Sequence, residues 1–269
     1  MSDFLKQMAE SSAARAAALK TAFTDDELDR PAWPLRLAGF DLIAEIKNRS
    51  PAEGELARPH ISHTARATQY VEGGAAAISV LTEPARFAGD LSHLEEVVAA
   101  VAGDRVPVMR KDFLVHPLQV LEAKAAGASG VLLIAGMLEL QQLTNLLDCA
   151  FEHDLFVLLE SFEETDLEIA VHLLERVAYR AQAERDKFLV GVNTRDLRSL
   201  HVDPGRLKDF APLLPRGANC VAESGLHTAD DAANVAGWGY RLALVGTALM
   251  RAASPAELIR DMLAAGRAA

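Results

Sequence analysis

Cysteine is scarce: Cys149 and Cys220 are the only two in 269 residues, and they form no CxxC pair. A fold resting on a disulfide framework is therefore excluded. Cys220 lies in the apolar run Cys220-Val221-Ala222 and reads as a small core residue. No stretch of eighteen apolar residues occurs, so no membrane span is expected. The N-terminus has no basic segment followed by an apolar one, so no secretory signal is expected there. The Ala-rich stretch 11–22, with Asp3 and Glu10 ahead of it, reads as an ordinary leading helix, and a cytoplasmic location is the expectation. Basic residues are outnumbered, with 27 Lys and Arg against 38 Asp and Glu and a net charge of −11. That balance argues against nucleic-acid binding, which draws on a basic surface. A small anionic substrate remains possible, because a pocket can be locally basic within an acidic protein. Half the residues are hydrophobic and 24% are charged, which fits a large packed core and not a disordered chain.

Against these absences stands a recurring pattern. Eight short apolar runs, each ending in polar or glycine residues, occur at 42–47, 75–80, 106–111, 131–135, 156–160, 188–193, 220–224 and 242–246. Near-continuous apolar character over four to six residues marks a strand buried on both faces. Between the runs lie segments with helical spacing, such as Leu91, Leu94, Val97, Val98 and Val101, or Leu140, Leu143, Leu146 and Leu147. Strict alternation of strand and helix implies parallel strands with helical crossovers. Eight units in about 230 residues favour a closed (β/α)8 TIM barrel over an open doubly wound sheet. The absence of a Gly-rich dinucleotide fingerprint after the first run agrees. Residues 1–269 thus read as one (β/α)8 barrel domain of the α/β class, with residues 1–40 forming an N-terminal helical extension that ends at Pro31 and Pro34.

In such a barrel the carboxyl ends of the strands converge on one pocket. Here those ends carry the polar residues: Glu45 and Lys47, Arg110-Lys111-Asp112, Glu160, Asn193 with Arg195, and Glu223-Ser224. Buried charge is costly unless paired, so Glu45, Lys47, Lys111 and Glu160 are expected to neutralise one another around a cavity. Lysines among carboxylates can hold an anion and donate protons, and an enclosed carboxylate can act as a base. The last two strands end in Ser224-Gly225 and Gly246-Thr247, where glycine lets backbone N–H groups approach a ligand. The loops after strands seven and eight are a common phosphate site in barrels. His60-x-x-His63 has no third ligand nearby in sequence, so no metal is expected. Ser224 lacks a GxSxG context and does not read as a hydrolase nucleophile.

The chain resembles the indole-3-glycerol phosphate synthase family of tryptophan biosynthesis from about residue 5 to residue 265. The resemblance is carried by Ile43-Ala44-Glu45-Ile46-Lys47 with Ser50-Pro51 and Gly54, and by Ser79-Val80-Leu81-Thr82-Glu83 with Phe87 and Gly89. It continues through Arg110-Lys111-Asp112-Phe113, Leu159-Glu160, Gly191-Val192-Asn193-Thr194-Arg195-Asp196-Leu197, Ala222-Glu223-Ser224-Gly225, and Val245-Gly246-Thr247-Ala248-Leu249-Met250. It implies ring closure of 1-(2-carboxyphenylamino)-1-deoxyribulose 5-phosphate with loss of carbon dioxide and water, a carboxy-lyase reaction needing no cofactor and no metal. By the same resemblance Lys111 is the general acid in ring closure and Glu160 the general base in dehydration. Lys47 contacts the substrate carboxylate and is a second candidate acid, and Glu45 orients the lysines. Asn193, Arg195, Glu223 and Ser224 contact substrate, while Ser50, Gly225, Gly246 and Thr247, with Lys47 nearby, line the phosphate end. Leu81, Phe87, Phe113 and Leu133 are the implied walls for the aromatic ring. The implied partner is a small phosphorylated substrate, with no nucleic acid and no membrane, and the oligomeric state stays open between a monomer and a weak dimer.

Three departures from the family pattern stand out. The usual Ser-Pro-Ser-x-Gly reads Ser50-Pro51-Ala52-Glu53-Gly54, losing a hydroxyl and adding a negative charge. His116 stands where the family often carries Asp. Glu160 and Asn193 lie about ten residues further apart than is common, and the extra length is assigned to 175–187, on the outer or lower side of the barrel, as a solvated helix face. Two other functions compete. A phosphoribosyl anthranilate isomerase would need a cysteine at a strand end, which is missing. A non-catalytic or altered-specificity phosphate-binding paralogue is suggested by the changed loop, and the intact acid and base residues argue against it.

Overall fold

Each of the eight apolar runs forms a strand. The computed structural model describes residues 2–50, 53–56, 61–195, 202–203 and 205–269. The barrel strands are β1 (Asp41–Ile46), β2 (Ala77–Leu81), β3 (Val108–Lys111), β4 (Gly130–Ile134), β5 (Phe156–Ser161), β6 (Phe188–Asn193), β7 (Asn219–Glu223) and β8 (Leu242–Val245). All pair in parallel in sequence order, and β1 pairs with β8 to close the ring. A short antiparallel ribbon, Arg49–Ser50 with Gly54–Glu55, follows β1.

Helices cover the outside. The apolar stripes read from the sequence fall on Leu91–Val101, Leu140–Glu152, Glu164–Leu174 and Pro255–Ala268, with their apolar faces buried against the strands. Helix His63–Gly73 is stopped by Gly74, which adopts φ +89° and donates its N–H to the carbonyls of Tyr70 and Val71. A side chain is strained in that left-handed conformation, so glycine fits the stop.

Inside the ring, side chains alternate between the lumen and the helix layer. Gly130 faces inward beneath Leu132 and Ile134, and a Cβ there would come within 2.5 Å of the Phe156 ring, which fills the lumen instead. Register then sets the upper layer. Ile134 pairs with Glu160, Glu160 with Gly191, and Asn193 with Glu223, so four neighbouring strands deliver their ends to one level.

The leading segment is less helical than its sequence suggests. Helix Asp3–Ala17 and a single turn, Asp25–Leu28, are followed by residues 29–40 with no regular structure. Pro31 and Pro34 favour an extended chain here by removing backbone donors and restricting the residues before them. The helix lies across the carboxyl-end rim through Arg15 and Asp112, while Trp33 donates its N–H at 2.9 Å to the Ser129 hydroxyl, just before β4. The segment thus starts at one rim, descends the outside and enters β1 from below.

Candidate active site

At the carboxyl ends of the strands the register opens a single cavity containing Glu45, Lys47, Lys111, Glu160, Asn193 and Glu223. Nζ of Lys111 lies 3.4 Å from Oε1 of Glu160 and 3.3 Å from Oε2 of Glu223. Lys47 pairs with Glu45 at 2.6 Å. The Asn193 amide donates to Glu160 Oε1, and its own carbonyl oxygen accepts from the Ser224 hydroxyl at 2.8 Å and the Arg195 N–H at 3.0 Å. These bonds fix which way the amide points, because its nitrogen must face the carboxylate.

Electrostatics follow from burial and neighbours. Burial alone would favour a neutral Lys111 amine, but Glu160, Glu223 and Glu45 together outweigh it and hold the group as an ammonium above the usual lysine range. Burial also disfavours ionised Glu45, yet the charges of Lys47 and Lys111 bring its carboxyl below the usual range. Glu223 goes the other way: burial, reinforced by the charge of Glu160, pushes its carboxyl well above the carboxylate range. Two ammonium groups then face two carboxylates and a protonated Glu223, and Arg195 adds a further cation to the wall. Such a cavity suits an anion.

Glycines make room for this cluster. A Cβ on Gly246 would come within 2.2 Å of Glu45 Oε1 and 2.9 Å of Lys47 Nζ, and one on Gly191 within 2.1 Å of Glu223 Oε1. Gly246, Thr247 and Ser50 line one side of the cavity, with Ser224 and Gly225 beside them. Ser224 and Gly225 both adopt left-handed φ, +71° and +76°. Two successive residues of that kind turn the chain sharply as it leaves β7.

Leu81, Phe87 and Phe113 form an apolar wall opposite, with the Phe87 and Phe113 rings 6.2 Å apart. Leu133 does not belong to that wall, which corrects the sequence reading. Alternation along β4 turns Leu133 outward to the helix layer, where it is fully buried, and turns Leu132 and Ile134 into the cavity. The run Val131-Leu132-Leu133-Ile134-Ala135 is apolar on both faces, so its phase could not be read from hydropathy.

Two contributors were not expected from sequence. Phe4, on the leading helix, lines the cavity and meets the Phe113 ring edge-on at 5.9 Å. No local pattern indicates that this helix folds over the rim. It is anchored by Arg15, whose guanidinium makes a two-pronged ion pair with Asp112 at 2.8 and 2.7 Å. Asp112 also accepts from the Thr82 hydroxyl at 2.8 Å, the Phe113 N–H at 2.8 Å and Arg110 at 3.3 Å. Burial would raise its carboxyl, but the Arg15 bonds and the Arg110 charge overcome this and hold it at about 2.

The departures from the family pattern also have structural readings. Ala52 lies outside the described residues, while Glu53 lines the cavity mouth and pairs with Arg251 at 2.8 Å. His116 caps helix Pro117–Ala125, its ring Nδ1 accepting from the Leu118 N–H at 3.1 Å as an aspartate oxygen would. In the stretch 175–187, residues Val177–Ala183 form a helix just before β6, at the rim away from the cavity. It is more than a solvated face: Tyr179 is buried between the Phe151 and Phe188 rings and donates its hydroxyl to Asp148 at 2.8 Å.

His60 lies outside the described residues. His63 bonds to Asn48 and Glu96, and among the described residues no three His, Cys, Asp or Glu side chains cluster to hold a metal. Burial pushes the Cys220 thiol up to about 12 and the Cys149 thiol up to about 11, so neither is disposed to act as a thiolate. Among the described residues no helix is long and apolar enough to cross a membrane.

Comparison with solved structures shows a shared barrel. The 3-hexulose-6-phosphate synthase of Salmonella typhimurium superposes with a TM-score of 0.62 at 17% identity, covering 84% of this chain and 98% of that one. A mandelate oxidase variant superposes at 0.58 and 16%, covering 98% and 90%. Sequence relatives are nearer. An indole-3-glycerol phosphate synthase from a Nocardioides species is 43% identical over 253 residues, covering 93% of this chain and 91% of the relative. One from a Parafrankia species is 40% identical, covering 86% and 81%. The family model described as indole-3-glycerol phosphate synthase matches residues 32–262, spanning every strand end that builds the cavity. This chain therefore belongs to the indole-3-glycerol phosphate synthase family.

Proposed function

We propose that this chain is an indole-3-glycerol phosphate synthase: a cytoplasmic carboxy-lyase of tryptophan biosynthesis that closes the ring of 1-(2-carboxyphenylamino)-1-deoxyribulose 5-phosphate. The observation that carries the reading is the Lys111 ammonium held between Glu160 and Glu223 on a cavity that also contains the Glu45–Lys47 pair. Family membership supplies the reaction, and the geometry supplies a role for each group.

The substrate brings a carboxylate, an aromatic ring and a phosphate. Lys47 serves the carboxylate, the Phe87 and Phe113 side serves the ring, and Ser50, Gly225, Gly246 and Thr247 serve the phosphate. Attack of the ring carbon on the ketone carbon forms a carbon–carbon bond and puts negative charge on the ketone oxygen. Lys111, kept protonated by its carboxylate neighbours, gives its proton to that oxygen. The carbon–carboxylate bond then breaks, carbon dioxide leaves, and its electron pair restores the aromatic ring. Departure of the new hydroxyl as water needs a second proton on oxygen and removal of the proton from nitrogen. Glu160, oriented by Asn193, is the base, and a lysine ammonium is the acid.

The reading is tested by supplying the substrate to the purified protein and following indole fluorescence. Turnover is expected without added metal or cofactor. A folded protein that yields no indole product would reject the assignment.

A further inference from the structure

We propose that His63 is a positioning residue for this reaction, acting through Asn48 to hold the cavity wall that carries Lys47 and Ser50. The inference rests on the function just proposed and extends it to a residue outside the cavity.

His63 opens helix His63–Gly73, and its ring reaches back to the chain leaving β1. Ring Nε2 lies 2.9 Å from the Asn48 side-chain oxygen, and ring Nδ1 lies 3.1 Å from Glu96 Oε2. The Asn48 amide nitrogen donates at 3.0 Å to the Ala88 carbonyl, which can only accept. That bond fixes the amide, so its oxygen must face His63. Both atoms facing the ring are therefore acceptors, and the ring satisfies both only when each nitrogen carries a proton. An imidazolium fits this place and a neutral imidazole leaves one contact unmade.

Other charged and titratable groups surround the ring. His93, on helix Leu91–Val101, stacks on it at 4.2 Å between centroids, and Glu96 comes from the same helix. Glu55 from the ribbon and Arg66 from its own helix line the same surface groove. Burial and the His63 charge keep the His93 imidazole below its ordinary range, which leaves the second proton of the stacked pair on His63.

Asn48 is where this matters. Its neighbour Lys47 enters the cavity, and its carbonyl accepts at 2.8 Å from the Leu56 N–H, closing the base of the ribbon that holds Ser50 and Glu53. Through Ala88 it also holds the turn next to Phe87, on the ring side. Arg49 adds bonds at 3.2 Å to the carbonyls of Ala85 and Arg86. His63 thus braces the junction between the phosphate side and the aromatic side without touching either.

The test compares the wild type with His63→Ala and His63→Gln. The alanine variant is expected to raise KM for the substrate by about 3–10-fold, the range of one charge-assisted hydrogen bond, with kcat within about 2-fold. The glutamine variant, whose amide can still donate to Asn48, recovers most of that loss. The advantage of wild type over the alanine variant in kcat/KM is largest near about pH 6 and fades above about pH 8, where imidazoles lose the second proton. Faster hydrogen exchange in residues 48–56 of the alanine variant gives a reading independent of turnover. Unchanged KM in His63→Ala, or a wild-type advantage equal at all pH values, overturns the proposal. A wild type that exchanges as described but makes no indole product refutes the proposed function and not the brace.

Discussion

Nζ of Lys111 lies 3.4 Å from Oε1 of Glu160 although 49 residues separate them in the chain. Neither group is positioned by its local sequence. Each sits at the end of an apolar strand, and closure of the ring brings the ends together. The pairing keeps the acid protonated and the base close by, so removing either group acts on chemistry more than on folding. Lys111→Ala and Glu160→Gln are each expected to lower kcat by roughly 10²–10⁴-fold, the usual contribution of a positioned acid or base, with circular dichroism unchanged. A rate near that of the wild type in either variant would remove that residue from its role.

Gly246 tests the packing of the cluster separately from its chemistry. Its backbone, at φ −118°, is open to any residue, so alanine brings no conformational strain there. The added methyl, however, would lie 2.2 Å from Glu45 Oε1. Glu45 and Lys47 must then shift by an ångström or more. Misplacement on that scale costs roughly 10²-fold in rate, so Gly246→Ala is expected to lose activity to that extent while melting close to the wild type. Full activity would show that the Glu45–Lys47 arrangement is not needed as placed.

Asp112 sets a pH limit on the fold. Its carboxyl sits at about 2 in the folded protein against an ordinary 3.8, so the ionised form stabilises the native state at every pH above about 4. That contribution, about 2 kcal/mol, is lost as pH falls from about 4 through about 2. Denaturant unfolding across this interval should show a steeper loss for wild type than for Asp112→Asn. Arg15→Ala leaves Arg110 on the aspartate and is expected to cost about 1.5–3 kcal/mol. It should also raise KM, because the helix that carries Phe4 to the cavity loses its anchor. Parallel pH profiles for wild type and Asp112→Asn would contradict this account.

The barrel was legible in the sequence because strands buried on both faces leave apolar runs, and the eight runs coincide with the eight strands. The polar cluster was legible for the same reason: Glu45, Lys111, Glu160, Asn193 and Glu223 interrupt those runs at one end. The rest depends on contacts that span long stretches of chain. Arg15 and Asp112 are 97 residues apart, and nothing near Phe4 signals that its helix crosses the rim. The brace at His63 was hidden likewise, since a histidine opening a helix looks the same whether it faces solvent or Asn48. The stretch 175–187 read as solvated because its charges dominate, while Tyr179 alone decides where it docks.

Strand β4 gives the sharpest case, because the correction there predicts two opposite outcomes from adjacent residues. Leu133 faces the helix layer and Ile134 faces the cavity, and both are buried in the native protein. Leu133→Ala removes packing far from substrate, so it should cost about 2–5 kcal/mol of stability and leave KM within about 2-fold. Ile134→Ala also loses packing, but it widens the wall beside Glu160, the residue its backbone pairs with. It should raise KM for the substrate by roughly 5–30-fold, as expected for about 1–2 kcal/mol of lost apolar contact with the ring. Urea unfolding and steady-state kinetics on both variants separate the two effects. The sequence reading, with Leu133 on the wall, predicts the reverse pattern in KM, so a larger KM for Leu133→Ala than for Ile134→Ala would restore it and show that the phase of β4 is shifted by one residue.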